Sequence, residues 1–121
     1  MLGIRGATTA DANTREAILD ATEELLRAIV EANGLEEDAV GAVFFTTTTD
    51  LNAEFPAAAA RVRLGWERTA LMDAQEIPVP GAAWSVIRAL LLVNTDRPKE
   101  GLSHVYLKGA ANLRSRGTGD R

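Results

Sequence analysis

Trp84-Ser85-Val86-Ile87-Arg88-Ala89-Leu90-Leu91-Leu92-Val93 is the most apolar run of the chain. Its composition allows a helix. Val86, Ile87 and Val93, set between a glycine-containing turn and Asn94-Thr95-Asp96, favour a buried strand instead. One residue in the run is out of keeping. The guanidinium of Arg88 cannot shed its proton to escape an apolar setting, so it needs an anionic or strongly polar partner. A structural ion pair with Glu76 or another acid would supply one; a bound anion would supply the other kind. Arg5, between Gly3-Ile4 and Gly6, and Arg61, in an alanine-rich segment, are two further cations in apolar or turn-like contexts. Together the three suggest a pocket for a small polyanion.

Working outward, Leu2 to Thr9 alternates and reads as a first strand, with Gly3 and Gly6 permitting close approach of a backbone or ligand beside Arg5. Asn13 followed by Glu16 has capping-box spacing. Ile18, Ala21, Leu25, Ile29 and Ala32 then recur at steps of three or four, an amphipathic helix that Asn33-Gly34 can stop. Val40 to Thr49 reads as a second strand whose tail, Thr46 to Thr49, is most simply a hydrogen-bonded strand end. Phe55-Pro56 opens a short helix through Leu64, ended by Gly65. Glu67 to Met72 reads as a weak third strand, Asp73 to Gly81 as a loop, Ser103 to Leu107 as a last short strand, and Gly109 to Leu113 as a turn of helix. The order β-α-β-α-β-β-β predicts an α+β fold, a sheet with helices on one face. The other face must bury itself, and packing against copies of the same chain is the economical way.

With 121 residues, 46% hydrophobic and 25% charged, one folded domain over residues 1–114 is expected, followed by a small, polar, mobile tail at 115–121. A net charge of −4 argues against nucleic acid as the main partner, although a few focused arginines can still hold an anionic small molecule. There is no cysteine, and His104 is the lone histidine. Thiolate nucleophiles, disulfides, cysteine-ligated metals and a histidine-based metal cluster are therefore not expected. The start of the chain lacks the features of a signal peptide, and no segment approaches the length of a membrane span, so the expected location is the cytoplasm with no membrane partner.

Gly3-Ile4-Arg5-Gly6-Ala7-Thr8-Thr9, Asp50-Leu51, Phe55-Pro56-Ala57, Gln75-Glu76, Val86-Ile87-Arg88, Asn94-Thr95-Asp96 with Pro98, and His104-Val105-Tyr106-Leu107 follow one another along the chain. Each is weak alone. Their ordered combination, to about Arg114, closely resembles the monofunctional AroH class of chorismate mutase. The resemblance implies a mixed five-stranded sheet with helices outside, assembled as a homotrimeric pseudo-α/β barrel with active sites between subunits. It implies the Claisen rearrangement of chorismate to prephenate, toward phenylalanine and tyrosine, without a cofactor. By the same resemblance Arg88 is the cation at the breaking ether bond, Arg5 clamps a carboxylate, Glu76 accepts from the ring hydroxyl and Tyr106 donates to a carboxylate. Phe55 and Leu113 correspond to apolar walls and Arg61 to a basic residue at the cleft mouth. Asp73 stands where a small hydrogen-bonding side chain, often cysteine, can occur; as a substrate-binding residue it could accept from the ring hydroxyl, or it could repel a dianion or rise in pKa near Glu76. Ala58 stands where an entrance lysine can occur. Two other readings are compatible with a small trimer holding an arginine-gripped carboxylate: a RidA-like enamine/imine deaminase, and a non-catalytic small-molecule-binding trimer.

Overall fold

In the computed structural model, which describes residues 1–113, the chain forms β1 (Leu2–Thr9), α1 (Arg15–Asn33), β2 (Val40–Thr47), α2 (Ala59–Arg63, a single π-helical turn), β3 (Ala70–Gln75), β4 (Val86–Val93) and β5 (Val105–Tyr106). The expected tail at 115–121 lies outside the described residues. The sheet order is β3-β2-β4-β1-β5. β4 is antiparallel to both β2 and β1, while β3 and β5 run parallel to their neighbours β2 and β1. The mixed five-stranded sheet predicted from sequence is thus observed, and the ambiguous run at 84–95 supplies its centre.

The central position explains the composition of β4. Ile87, Ala89, Leu91 and Val93 alternate onto the helix-covered face and are nearly inaccessible. Ala89, Leu91 and Val93, together with Ile4, Val43 and Phe45 from the flanking strands, meet Leu25, Leu26 and Ile29 of α1 in the main core, while Ile87 packs with Ile18, Ala21 and Leu51 in a second cluster; each large side chain contributes roughly 1.5–3 kcal/mol by its removal from water. Gly6 makes the helix contact possible: a Cβ there would lie 2.6 Å from Ile29 Cδ1 and 3.1 Å from Leu25 Cδ1. The close approach that the missing side chain permits is therefore to α1.

Helix α1 begins one residue later than the capping-box spacing suggests. Thr14 is the cap, in extended conformation, and its Oγ1 accepts from Ala17 N–H at 3.1 Å. Asn13 is used elsewhere: its Oδ1 accepts from the backbone of Asn52 and Ala53, and its Nδ2 donates to Asn52 Oδ1. At the far end Gly34 adopts φ 61°, the left-handed stop expected of it. α2 packs on α1 through Ala58, Ala59 and Leu19, and Arg63 bridges Asp20 and Glu23 across the gap. Ala58 is consequently buried between the helices rather than standing at an entrance.

β3 also departs from expectation. Glu37 accepts from Arg68 N–H and Thr69 Oγ1 and keeps that segment out of the sheet. The strand then runs on through Asp73-Ala74-Gln75, paired with Phe45-Thr46-Thr47. Backbone pairing to β2 outweighs the low strand preference of those three residues. Among the described residues no helix is long and apolar enough to cross a membrane.

Among the described residues the opposite face of the sheet carries no α-helix; a short 3-10 turn, Lys108–Asn112, covers only its Ala7–Val86 end. Phe44, Met72 and Leu90 project there and remain exposed, which is the uncovered face the sequence implied.

Candidate active site

Strand register assembles the polar groups of that open face. Arg88 on β4 lies directly opposite Thr46 of β2 on one side and Ala7 of β1 on the other, and Ala7 is in turn level with Tyr106 of β5. Two residues along, Leu90 is flanked by Phe44 and Arg5. Alternation puts all of these side chains on the same face. They enclose a cavity of about 280 Å³ lined by Arg5, Gly6, Phe44, Thr46, Arg88, Ala89, Leu90 and Tyr106. Two guanidiniums and a phenol thus face an otherwise apolar recess, a combination suited to a small molecule with more than one carboxylate.

Arg88 has the acid partner that its surroundings demand. Its Nε donates to Glu76 Oε2 at 2.9 Å. The pairing uses one edge of the guanidinium and leaves Nη1 and Nη2 outside it. Glu76 follows the end of β3, where its N–H donates to Thr47 O at 2.8 Å. It stands at the rim of the cavity, lining the adjoining recess formed by the 77–84 loop. The ion pair and the cavity therefore share Arg88, and the pairing with Glu76 does not use up its guanidinium.

Arg5 is fixed through its backbone. Its N–H donates to Nδ1 of His104 at 2.9 Å, just before β5. The lone histidine therefore serves as an acceptor that extends the β1–β5 pairing, and Nδ1 must be unprotonated to do so. At the other end of the open face, Asp50 fixes the entry to β4. Both its oxygens accept from Ser85 N–H, and Oδ2 also accepts from Ser85 Oγ at 3.0 Å. Ser85 is held at φ 58°, an uncommon conformation for a non-glycine residue. Burial alone would push the Asp50 carboxyl up, but hydrogen bonds from Thr48 and Ser85 outweigh it and hold it below the ordinary range.

The remaining predicted residues lie apart from this cavity. Phe55 and Asp73 line a second recess of about 320 Å³ at the end of β2 and β3, with Phe55 64% exposed. Arg61 is exposed on α2 and lines neither recess. Leu113 is buried in a small cluster with Ala7, Val86 and Ala110, against which Tyr106 packs; it backs the phenol rather than walling the cavity.

Asp73 is occupied within the chain. Its Oδ1 accepts from Ala57 N–H at 3.0 Å and so holds the start of the helical turn after Pro56. Its carboxyl is raised above the ordinary range chiefly by burial, with the Ala57 bond and the charge of Arg61 opposing and Glu54 adding to the rise. Glu76 is not the cause, contrary to expectation. Asp73 occupies the face of Phe45 and Glu76 bonds to Thr46, and these neighbours on β2 point to opposite sides of the sheet. A carboxyl whose pKa is raised on folding contributes stability at low pH that is lost as pH rises through the folded value. Asp73→Asn keeps an acceptor for Ala57 and removes that loss. The variant should melt higher than wild type near neutral pH, with the advantage shrinking as pH falls below the Asp73 pKa; thermal melts across pH 3 to 8 (roughly the window set by an ordinary aspartate near 3.9 and a raised one) would check it.

Thr46 is the cavity residue that sequence reading passed over as part of a polar strand end. Its Oγ1 donates to Glu76 Oε2 at 2.7 Å. Its neighbours have other work: Thr47 donates to Leu51 O, and Thr48 accepts from Val86 N–H. Alternation from Phe44 was the available signal, but it becomes informative only once β2 is known to lie beside Arg88.

The profile of the family described as chorismate mutase type I matches residues 1–116. The chain is 50% identical over 113 residues to chorismate mutase AroH of Thermus thermophilus, covering 93% of this chain and 92% of that protein. It is 40% identical over 112 residues to chorismate mutase AroH of Bacillus subtilis (strain 168), covering 93% and 88%. Its fold superposes on the solved structure of a chorismate mutase from Clostridium thermocellum with a TM-score of 0.91, at 50% sequence identity, over 93% of this chain and all of that one.

Proposed function

The chain belongs to the type I chorismate mutase family, and from that premise we propose that the Arg5–Arg88–Tyr106 cavity, with Glu76 at its rim, binds chorismate and promotes its rearrangement to prephenate. The observation that carries this reading is the convergence of two arginines from adjacent strands on one apolar recess, with a carboxylate bonded to the edge of one of them. Neither the deaminase nor the scaffold alternative is favoured by the relatives or by the fold.

The chemistry asks little of side-chain nucleophiles. One carbon–oxygen bond breaks and one carbon–carbon bond forms within a single molecule, and no proton moves. What lowers the barrier is selection of the compact conformer and stabilisation of the negative charge that grows on the ether oxygen. In this reading the Nη groups of Arg88 meet that oxygen and a carboxylate, Arg5 and Tyr106 grip the carboxylates, and Glu76 accepts from the ring hydroxyl. A guanidinium already fixed by Glu76 pays no reorganisation as charge develops, so its effect is greater in the transition state than in the ground state.

The single domain spans residues 1–114 in this proposal, and the active unit is a homotrimer. Phe44, Met72 and Leu90 leave an apolar sheet face for a second copy to cover. The separation of Phe55 and Arg61 from the arginine cavity fits a site completed by the neighbouring subunit, whose Phe55 would close the recess. Such an assembly makes a specific demand. Purified protein should convert chorismate, followed by its ultraviolet loss and by acid conversion of the product to phenylpyruvate, and chelators should leave the rate unchanged. Trimers co-assembled from Arg88→Ala and Phe55→Asp subunits should regain activity that neither parent has, because some sites then carry both native halves. Full activity in a monomer, or no recovery in the mixed trimer, would overturn the intersubunit arrangement; no turnover of chorismate by the wild type would overturn the reading itself.

A further inference from the structure

We propose that Thr46 is a positioning residue of this site, one that together with Arg88 holds a single oxygen of the Glu76 carboxylate and reserves the other for substrate. The inference rests on the assignment of the Arg88 cavity as the chorismate site and adds a residue to it.

The geometry is local and asymmetric. Thr46 Oγ1 and Arg88 Nε both donate to Oε2 of Glu76, at 2.7 and 2.9 Å. Two donors satisfy the in-plane lone pairs of that oxygen. Among the described residues no hydrogen bond is made to Oε1. Glu76 stands one residue beyond the end of β3, where only its N–H is tied to the sheet. A glutamate there has three rotatable torsions and water on one side, and a single ion pair leaves it free to swing about the shared bond. A second donor from a different strand removes that freedom and fixes the carboxylate plane.

Threonine suits the task. It is β-branched, so its χ1 is stiff, and it lies opposite Arg88 in the β2–β4 register, so the two donors arrive from neighbouring strands. The constraint is mutual. A carboxylate pinned by Thr46 also pins the guanidinium that is bonded to it, and keeps the Nη groups of Arg88 available to a ligand. Thr46 itself lines the cavity, but its proton is committed to Glu76.

The test is a double-mutant cycle on the full-length protein. Thr46→Val keeps the shape and removes the donor; it should lower kcat/KM for chorismate roughly 10-fold, the ordinary worth of a hydrogen bond to a charged group. The loss should fall mainly on KM, since the ring hydroxyl is held in ground and transition states alike. Thr46→Ser restores the donor and should recover activity to within about threefold of wild type. In a Glu76→Ala background Thr46→Val should cost less than about twofold, because nothing remains for the hydroxyl to orient. Thr46→Ala, with melting curves for every variant, serves as the donor-free variant if valine disturbs folding. Unchanged kinetics in both donor-free variants, no recovery with serine, or an equal loss with and without Glu76 would each overturn the proposal. Should Glu76→Ala and Arg88→Ala themselves be fully active, it is the assignment of the site that fails, a result distinct from a silent Thr46.

Discussion

Arg88→Ala will lower kcat/KM for chorismate by a factor on the order of 10³ while leaving the fold intact, the usual consequence of removing a preorganised donor from developing charge. The fold survives because Arg88 points to the open face: Ile87 and Ala89, its neighbours, make the core contacts, and the side chain at 88 is 29% exposed. The loss has two sources. In the proposed mechanism the ether oxygen loses its stabilising cation, and Glu76 loses the guanidinium bonded to it, so a carboxylate is left unpaired beside the proposed dianion site. Arg88→Lys should recover little of the activity. An ammonium placed to serve the substrate cannot also hold Glu76 with a fixed planar edge. Citrulline at the same position separates the effects, since it keeps the shape and removes the charge. Steady-state kinetics with chorismate, accompanied by circular dichroism and melting curves, measures all three. Activity within a few-fold of wild type in the alanine or citrulline variant would remove position 88 from the chemistry.

The largest structural effect is expected at Gly6. Gly6→Val should destabilise the protein by about 3 kcal/mol or more, the upper end of what overpacking costs in a formed core. A first added carbon already meets Ile29 Cδ1 at 2.6 Å and Leu25 Cδ1 at 3.1 Å, and the backbone oxygen of Val105 at 3.2 Å. The two leucine and isoleucine tips can give a little. The Val105 carbonyl cannot, because it belongs to the short β5 strand that pairs with Gly6 and Ala7. Relief must come from moving α1 away from the sheet or β5 away from β1. Either displaces Tyr106 relative to Arg5, so activity should fall along with stability. Gly6→Ala is the graded control, adding one carbon where valine adds three. Chemical denaturation of the three proteins would check the order wild type, alanine, valine; a valine variant as stable as wild type would show that the helix–sheet contact is looser than its distances imply.

Much of this was readable from local pattern. Alternation gave β1 and β2, the three-and-four spacing gave α1 with its stop at Gly34, and the run at 84–93 gave a buried strand carrying one cation. Where local signals competed, they misled. Asn13 and Glu16 have capping spacing, yet Asn13 is drawn off by the backbone at 52–53 and Thr14 caps instead. Asp73-Ala74-Gln75 carries no strand signal, because the drive for pairing lies in β2. Arg88 and Arg5 stood out by their charge in apolar surroundings, whereas Glu76 and Tyr106 entered the proposed site through the ordered motifs that mark the family.

What the chain determined by itself was a list: which segments are strand or helix, which face of each is apolar, and which few polar groups sit among apolar ones. These depend on torsional preference and periodicity, and both are local. Tertiary structure decided which members of the list meet. It set Thr46 and Ala7 on either side of Arg88, brought Glu76 to both Thr46 and Arg88, turned Asp73 away to hold Ala57, and buried Leu113 behind Tyr106. Strand order and register arise from long-range pairing and core packing, and a shift of one residue would send the side chains of the shifted strand to the other face.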